Sequence, residues 1–152
     1  MSKEKLESLR KLLTKKSVDG FIIPMSDEYQ NEYVPASAKR IEWLTGFTGS
    51  AGTVVVLKNK AAIFIDGRYV LQAEKEVDKK LYEHHNIKDI SLDSWIKSFG
   101  PNLVIGYDPW VHTEYQVRGL HERNIQLKPV KNLIDEIWKD RPNPPATKIK
   151  EH

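Results

Sequence analysis

Residues 45–69 read TGFTGSAGTVVVLKNKAAIFIDGRY, and this stretch decides the fold. Gly46, Gly49 and Gly52 crowd into one loop, so the backbone there turns sharply or passes close to a neighbour. Two apolar runs follow, 53–57 and 61–65, split by Lys58-Asn59-Lys60. The pair reads as a β-hairpin whose core is Val54, Val55, Val56, Ile63, Phe64 and Ile65. The second run ends in Asp66-Gly67-Arg68-Tyr69, a polar cluster at the boundary of strand and helix. A glycine loop, a hairpin and a charged strand end together make a working edge.

Upstream, residues 2–16 place Leu6, Leu9, Leu12 and Leu13 at helical spacing behind a capping Ser2. Residues 20–24 (GFIIP) form a strand buried on both faces, ended by Pro24. Residues 26–39 are polar and irregular, with Asp27, Glu28, Tyr29, Glu32 and Tyr33 close together, and 40–44 (RIEWL) lead into the glycine loop. Downstream, 67–79 have helical spacing with Tyr69, Val70, Ala73 and Val77 on one side, and 81–85 read as a strand. Ser91 caps a short helix bearing Leu92, Trp95, Ile96 and Phe99, which Gly100-Pro101 stop. Residues 103–107 (LVIGY) are another buried-type strand. Thr113 and Gln116 fit a capping box that opens a helix with Tyr115 and Leu120 inward. Residues 125–130 form an edge strand, because Pro129 cannot donate to a ladder, and Asn132 caps a last helix with Leu133, Ile134, Ile137 and Trp138. Residues 140–148 (DRPNPPATK) hold three prolines and no apolar period. They divide the chain into a domain, 1–139, and a Pro-rich linker, 140–152, with the expectation that another domain follows. Alternating strands and helices after a hairpin predict a three-layer α/β domain with a mixed β-sheet flanked by helices.

Composition narrows the function. The 152 residues are 39% hydrophobic and 30% charged, enough for one domain with a core. A net charge of +3 is too mild to argue for nucleic acid. The cations Lys3, Lys5, Arg10, Lys11, Lys15 and Lys16 make the first helix a solvated basic face. There is no cysteine, which excludes disulfides and thiolate metal sites. No stretch is long enough to cross a bilayer, so no membrane partner is expected and the chain reads as cytoplasmic.

The chemistry is sparse. The glycines lead into a strand, whereas a phosphate loop opens a helix, so a tight turn feeding the hairpin is the better reading. His84 and His85 are adjacent on a strand and point to opposite faces, and no histidine pair has metal-binding spacing. Ser50 lies in G-S-A-G, not in a nucleophile elbow. The sequence therefore offers no catalytic residue and no metal ligand. Arg68 stands where a buried strand gives out, placed to fork onto a carboxylate or carbonyl, or else to pair internally with a helix-capping Asp66; the two readings stand level. Asp108-Pro109-Trp110 is a turn after a strand, with Trp110 filling a core or an interface.

Taken in order, Glu32-Tyr33-Val34-Pro35, Leu44-Thr45 with the glycine loop, Asp66-Gly67-Arg68-Tyr69 with Gln72-Ala73, Ile105-Gly106-Tyr107-Asp108-Pro109-Trp110, and Asn132-Leu133-Ile134-Asp135 with Ile137-Trp138 and Arg141-Pro142 carry a resemblance. The chain resembles the N-terminal domain of the Xaa-Pro aminopeptidases, in the creatinase/prolidase superfamily, most of all their three-domain form. The resemblance implies a non-catalytic domain that builds a homodimer and narrows access to a catalytic cleft. The family removes an N-terminal residue from peptides with proline second. It uses two divalent metals, typically manganese, bound in a separate C-terminal domain, so no cofactor is expected in this stretch. It points to Arg68 as the residue that reaches substrate, with Asp66 and Tyr69 in support and the Glu32/Tyr33 region nearby. A prolidase- or creatinase-type hydrolase on the same scaffold, and a stand-alone interaction module, are the alternatives.

Overall fold

The computed structural model describes residues 2–26 and 34–142. The expectations for Asp27, Glu28, Tyr29, Glu32 and Tyr33, for the Ser2 cap and for 143–152 lie outside what it describes. The chain runs α1 (Ser2–Lys15), β1 (Gly20–Pro24), α2 (Arg40–Thr45), β2 (Thr53–Leu57), β3 (Ala61–Ile65), α3 (Val70–Glu76), β4 (Glu83–Asn86), α4 (Leu92–Lys97), β5 (Val104–Tyr107), α5 (Glu114–Glu122), β6 (Gln126–Pro129) and α6 (Leu133–Ile137). Short 3₁₀ turns, Ala36–Ala38 and Gly67–Tyr69, precede α2 and α3.

The strands form one mixed sheet in the order β4-β3-β2-β1-β5-β6. β2 pairs antiparallel with both β1 and β3, while β1–β5, β3–β4 and β5–β6 are parallel. The pleat alternates side chains across the sheet. Phe21, Ile23, Val54, Val56, Ile63 and Ile65 pack with Leu6, Leu9 and Leu13 of α1, Ile41 and Leu44 of α2, Ala73 of α3, and Leu133 and Ile134 of α6. Ile22, Val55, Ala62 and Phe64 face the other way, onto Trp95 and Ile96 of α4 and Leu120 of α5. Helices thus cover both faces, giving the three layers expected. Each such side chain taken fully out of water contributes about 1.5–3 kcal/mol, which is why the central strands read as unbroken apolar runs.

The caps form as the residue types require. Ser91 accepts from the Ser94 N–H, Asn132 accepts from the Ile134 N–H, and Thr113 with Gln116 closes a reciprocal capping box. Three readings need correction. The Leu81 and Tyr82 N–H groups both donate to the Asp78 carbonyl, so a turn occupies the start of 81–85 and the strand begins at Glu83. Residues 67–79 hold a 3₁₀ turn and a helix that stops at Glu76, because Val77 is extended. Tyr115 is not inward but 83% exposed. It lies five residues from buried Leu120, about 140° around the helix, so one cannot face the core if the other does.

One tie has no local signature in the sequence. Arg40, only 2% exposed, donates from Nε and Nη2 to the two Asp135 oxygens at 2.8 and 3.1 Å, clamping α2 to α6. Arg141 joins it, with Nη1 3.3 Å from Asp135 Oδ2 and Nε donating to the Ser37 carbonyl.

Candidate functional site

Because β2 alone runs against its neighbours, five strands end at one edge of the sheet, where β2 begins. In open α/β sheets this carboxyl-end edge is where ligands gather. The glycine loop, Asp66 after β3 and Asp108 after β5 all lie along it.

The loop is held down from within. Gly46 ends α2 with φ 89°, its N–H donating to the Glu42 carbonyl, a conformation that favours glycine. Gly49 is required by packing: a Cβ there would lie 2.3 Å from Phe47 Cζ and 2.9 Å from Tyr69 Cδ1. Thr48 donates from its backbone N–H and its hydroxyl to the two Glu76 oxygens, at 2.8 and 2.7 Å, and Gln72 Nε2 donates to Thr48 Oγ1. Burial works to raise the Glu76 pKa, but hydrogen bonds from Thr48 and Gln72 outweigh it and hold the carboxyl below its ordinary value. Ser50 Oγ and Tyr69 OH are hydrogen-bonded to each other. The Phe47 N–H donates to Thr45 Oγ1, so the loop directs its donors at α2 and α3.

Arg68 crosses from this network to the surface. Asp66 caps the 3₁₀ turn by accepting from the Arg68 N–H, and the guanidinium forks back onto the same carboxylate, Nη2 to Oδ2 at 2.9 Å and Nε to Oδ1 at 3.2 Å. The fork, foremost of several contributions, lowers the Asp66 pKa and raises that of Arg68. The Arg68 side chain is 74% exposed and its carbon Cζ stands 5.3 Å from the Tyr69 ring centre. Its Nη1 donors have no partner among the described residues. The cap-and-ion-pair geometry is therefore present, and the same guanidinium still offers a free edge to solvent. The structure brings Arg68, Asp66, Tyr69 and Ser50 together. Asp108 lies three strand positions away, about 14 Å across the sheet.

Asp108 is buried. It accepts from the Trp110 N–H and from Asn132 Nδ2, joining the end of β5 to the start of α6, and it makes the expected turn. Trp110 does not fill the core; it is 73% exposed. A groove of about 590 Å³ runs past α5 over the ends of β1 and β2, lined by Pro24, Thr53, His112, Tyr115 and Arg118 among others. Burial holds the His112 pKa below its ordinary value, and its Nδ1 sits 3.0 Å from the Asp108 carbonyl, which must accept. His112 and Arg118 escaped the sequence reading, since nothing in their spacing marks them. Among the described residues, no three His, Asp or Glu side chains converge to hold a metal ion. The described residues do not fit a metal centre. Nor is any helix among them long and apolar enough to cross a membrane.

Comparison with known proteins agrees with this architecture. The family model described as Creatinase/Prolidase N-terminal domain matches residues 5–137. Aminopeptidase P2 of Arabidopsis thaliana is 40% identical over 98% of this chain, which covers 23% of that protein. The crystal structure of the X-prolyl aminopeptidase from Caenorhabditis elegans, described as a cytosolic enzyme with a di-nuclear active site, superposes with a TM-score of 0.83 at 29% identity, covering 94% of this chain and 26% of that one. The N-terminal domain of the cytoplasmic peptidase PepQ from Mycobacterium tuberculosis H37Rv shares the fold, with a TM-score of 0.66 at 19% identity over 88% of this chain and 98% of its own. The chain thus spans about a quarter of the length of the curated relatives it matches. With a matching profile across nearly all of its described residues and the same mixed sheet, the chain belongs to the Creatinase/Prolidase N-terminal domain family.

Proposed function

We propose that this chain is the N-terminal domain of an Xaa-Pro aminopeptidase, a cytoplasmic enzyme that removes the residue preceding proline from peptide N-termini. The observation that carries the reading is the 40% identity to Aminopeptidase P2 along 98% of the chain. In this proposal residues 1–139 are the domain, and 140–152 lead to further domains. The last of these holds two divalent metals, manganese by family habit. The N-terminal domain assists from outside, by dimerisation and by narrowing the cleft. Arg68 is its reaching residue, with Asp66 and Tyr69 setting its angle. Support for that role is geometric: the guanidinium is anchored at one side and open at the other. An arginine so held pairs with a peptide carbonyl or a C-terminal carboxylate.

The test is Arg68→Ala in the full-length enzyme, assayed on an Xaa-Pro tripeptide with manganese. Loss of one charge-assisted hydrogen bond lowers kcat/KM about tenfold or more. The melting temperature should hold, because Asp66 still caps the turn through the backbone N–H of residue 68. Unchanged kinetics would reduce Arg68 to part of a helix cap. Residues 1–152 alone should show no turnover; robust activity there would overturn the division of labour. Turnover confined to Xaa-Pro dipeptides would reassign the enzyme as a prolidase.

A further inference from the structure

At the opposite, amino-end edge of the sheet lies a second concavity, of about 300 Å³, that the proposed function does not use. Its wall comes from four places: Arg10 on α1, Asn59 and Lys60 in the β2–β3 turn, Lys79 and Lys80 after α3, and Tyr82 just before β4. Four of these six side chains are cations. They are 70 residues apart in sequence at the extremes, so the cluster is a product of the fold and not a charged run.

Two further features mark it as more than a basic surface. Tyr82 is only 1% exposed, yet its hydroxyl has no hydrogen-bond partner among the described residues. A buried hydroxyl without an acceptor costs about 1–3 kcal/mol, and Tyr82 is one of the residues that line this concavity. Burial pushes the Tyr82 pKa up, which keeps the phenol protonated and able to donate. Second, Arg10 is held in place from behind: its Nε donates to the Leu57 carbonyl at 3.0 Å, leaving the Nη groups without a partner among the described residues. Its pKa is lowered chiefly by burial, the mark of a cation short of water. Carboxylates near the rim offset part of this charge, Glu83 against Lys60 and Glu7 against Arg10, but among the described residues neither hydrogen-bonds these cations. Glu83 lines the wall, but its Oε1 is engaged by His85 Nε2 and Trp95 Nε1. Lys79 pairs with exposed Glu74 at 3.4 Å, and Asp78 accepts from the Lys80 N–H. Glu7, one turn before Arg10, is exposed.

We propose that this concavity is a binding site for a phosphate-sized oxyanion, seated between Arg10, Lys60, Lys79 and Lys80 and accepting the Tyr82 hydroxyl. An anion there gives the buried phenol an acceptor and the cations of the wall a shared counter-charge. The ligand is either the free ion or a phosphate monoester.

The test is an NMR titration of residues 1–152 with sodium phosphate against sodium chloride at equal ionic strength. Saturable shifts confined to Arg10, Lys60 and residues 79–83 are expected, with a Kd of about 1 mM or below, as two or three charge-assisted hydrogen bonds allow. Tyr82→Phe weakens binding about three- to tenfold and Arg10→Gln about tenfold or more. Titration with O-phosphoserine distinguishes the sources: equal affinity assigns the free ion, tighter binding assigns the monoester. Shifts that never saturate, or that chloride reproduces, mean ionic screening and overturn the site. So does full-strength binding in both variants. If Arg10→Gln does not fold, Tyr82→Phe and the exposed Lys60→Gln decide the matter in its place.

Discussion

Gly49→Ala tests why the loop is glycine-rich. The added methyl would lie 2.3 Å from Phe47 Cζ and 2.8 Å from Cε2, against an ordinary contact of 3.4 Å or more. Phe47 must therefore move by over 1 Å, yet it is fully buried and set edge-on to the Tyr69 ring at 6.0 Å between centres. Backing away drives Phe47 into the core or presses it on Tyr69, whose hydroxyl partners Ser50. Overpacking of this kind costs about 1–3 kcal/mol, and the stiffer unfolded chain returns only about 0.4–1 kcal/mol. For a domain of this size the net is a fall in Tm of roughly 2–8 °C. Gly52→Ala is the internal control. A Cβ there meets nothing nearer than 3.4 Å, and its φ is not in the left-handed region, so its melt should equal the parent's or exceed it by up to about 4 °C through the stiffer unfolded chain. Calorimetry on residues 1–152 reads both. Equal melts for Gly49→Ala and the parent would refute the packing account and reopen the reading in which the glycines make room for a ligand.

Asp135→Ala removes the carboxylate that Arg40 and Arg141 share; since Asp135 is partly exposed, the loss should be about 2–3 kcal/mol, below that of a fully buried pair, as read by urea denaturation. Glu76 has a lowered pKa, so its contribution is present above the ordinary carboxyl value of 4.5 and is lost as pH falls through the lower folded value. Exchange of the Thr48 amide should accordingly quicken, relative to its intrinsic rate, only in that acid range, and Glu76→Gln should remove the transition. His84 and His112 have pKa values lowered chiefly by burial, so the unfolded chain takes up protons first. Stability should therefore fall as pH drops below the ordinary histidine value of 6.5, and a denaturation midpoint equal at pH 7.5 and pH 5.5, values bracketing that titration, would contradict it.

Much of this fold could be read from the sequence because its signals are local. β1, β2 and β3 match their expected residues because apolar runs sit between sharp punctuation: Gly20 and Pro24, the glycine loop, Lys58-Asn59-Lys60, and Asp66. Ser91, Thr113 and Asn132 cap as expected because a cap is settled within three residues. Asp66 and Arg68 pair for the same reason. What escaped the reading is what the fold brings from afar. Arg40 finds Asp135 across 95 residues, and Thr48 finds Glu76 across 28. Gly49 is glycine because of a ring two residues away in sequence, but only once the loop has curled over Phe47. Tyr115 misled because apolar character was taken for inward direction, while Leu120 had already set the helix phase.

The position of β1 bears on how the chain assembles. Its pairing with β5 brings Asp19 to Val104 across 85 residues, whereas β2 turns back onto β3 within a few. Loop-closure entropy makes the short connection the earlier one to form. The hairpin with β1, α1 and α2 is then expected to be the nucleus, and β5, α5 and β6 the flank that docks last and opens first. Phi-values near zero in α5, alongside fractional values in β2 and β3, would record that order. On this account the strand that reverses against its neighbours sets not only where the chain presents its edge but also where folding begins.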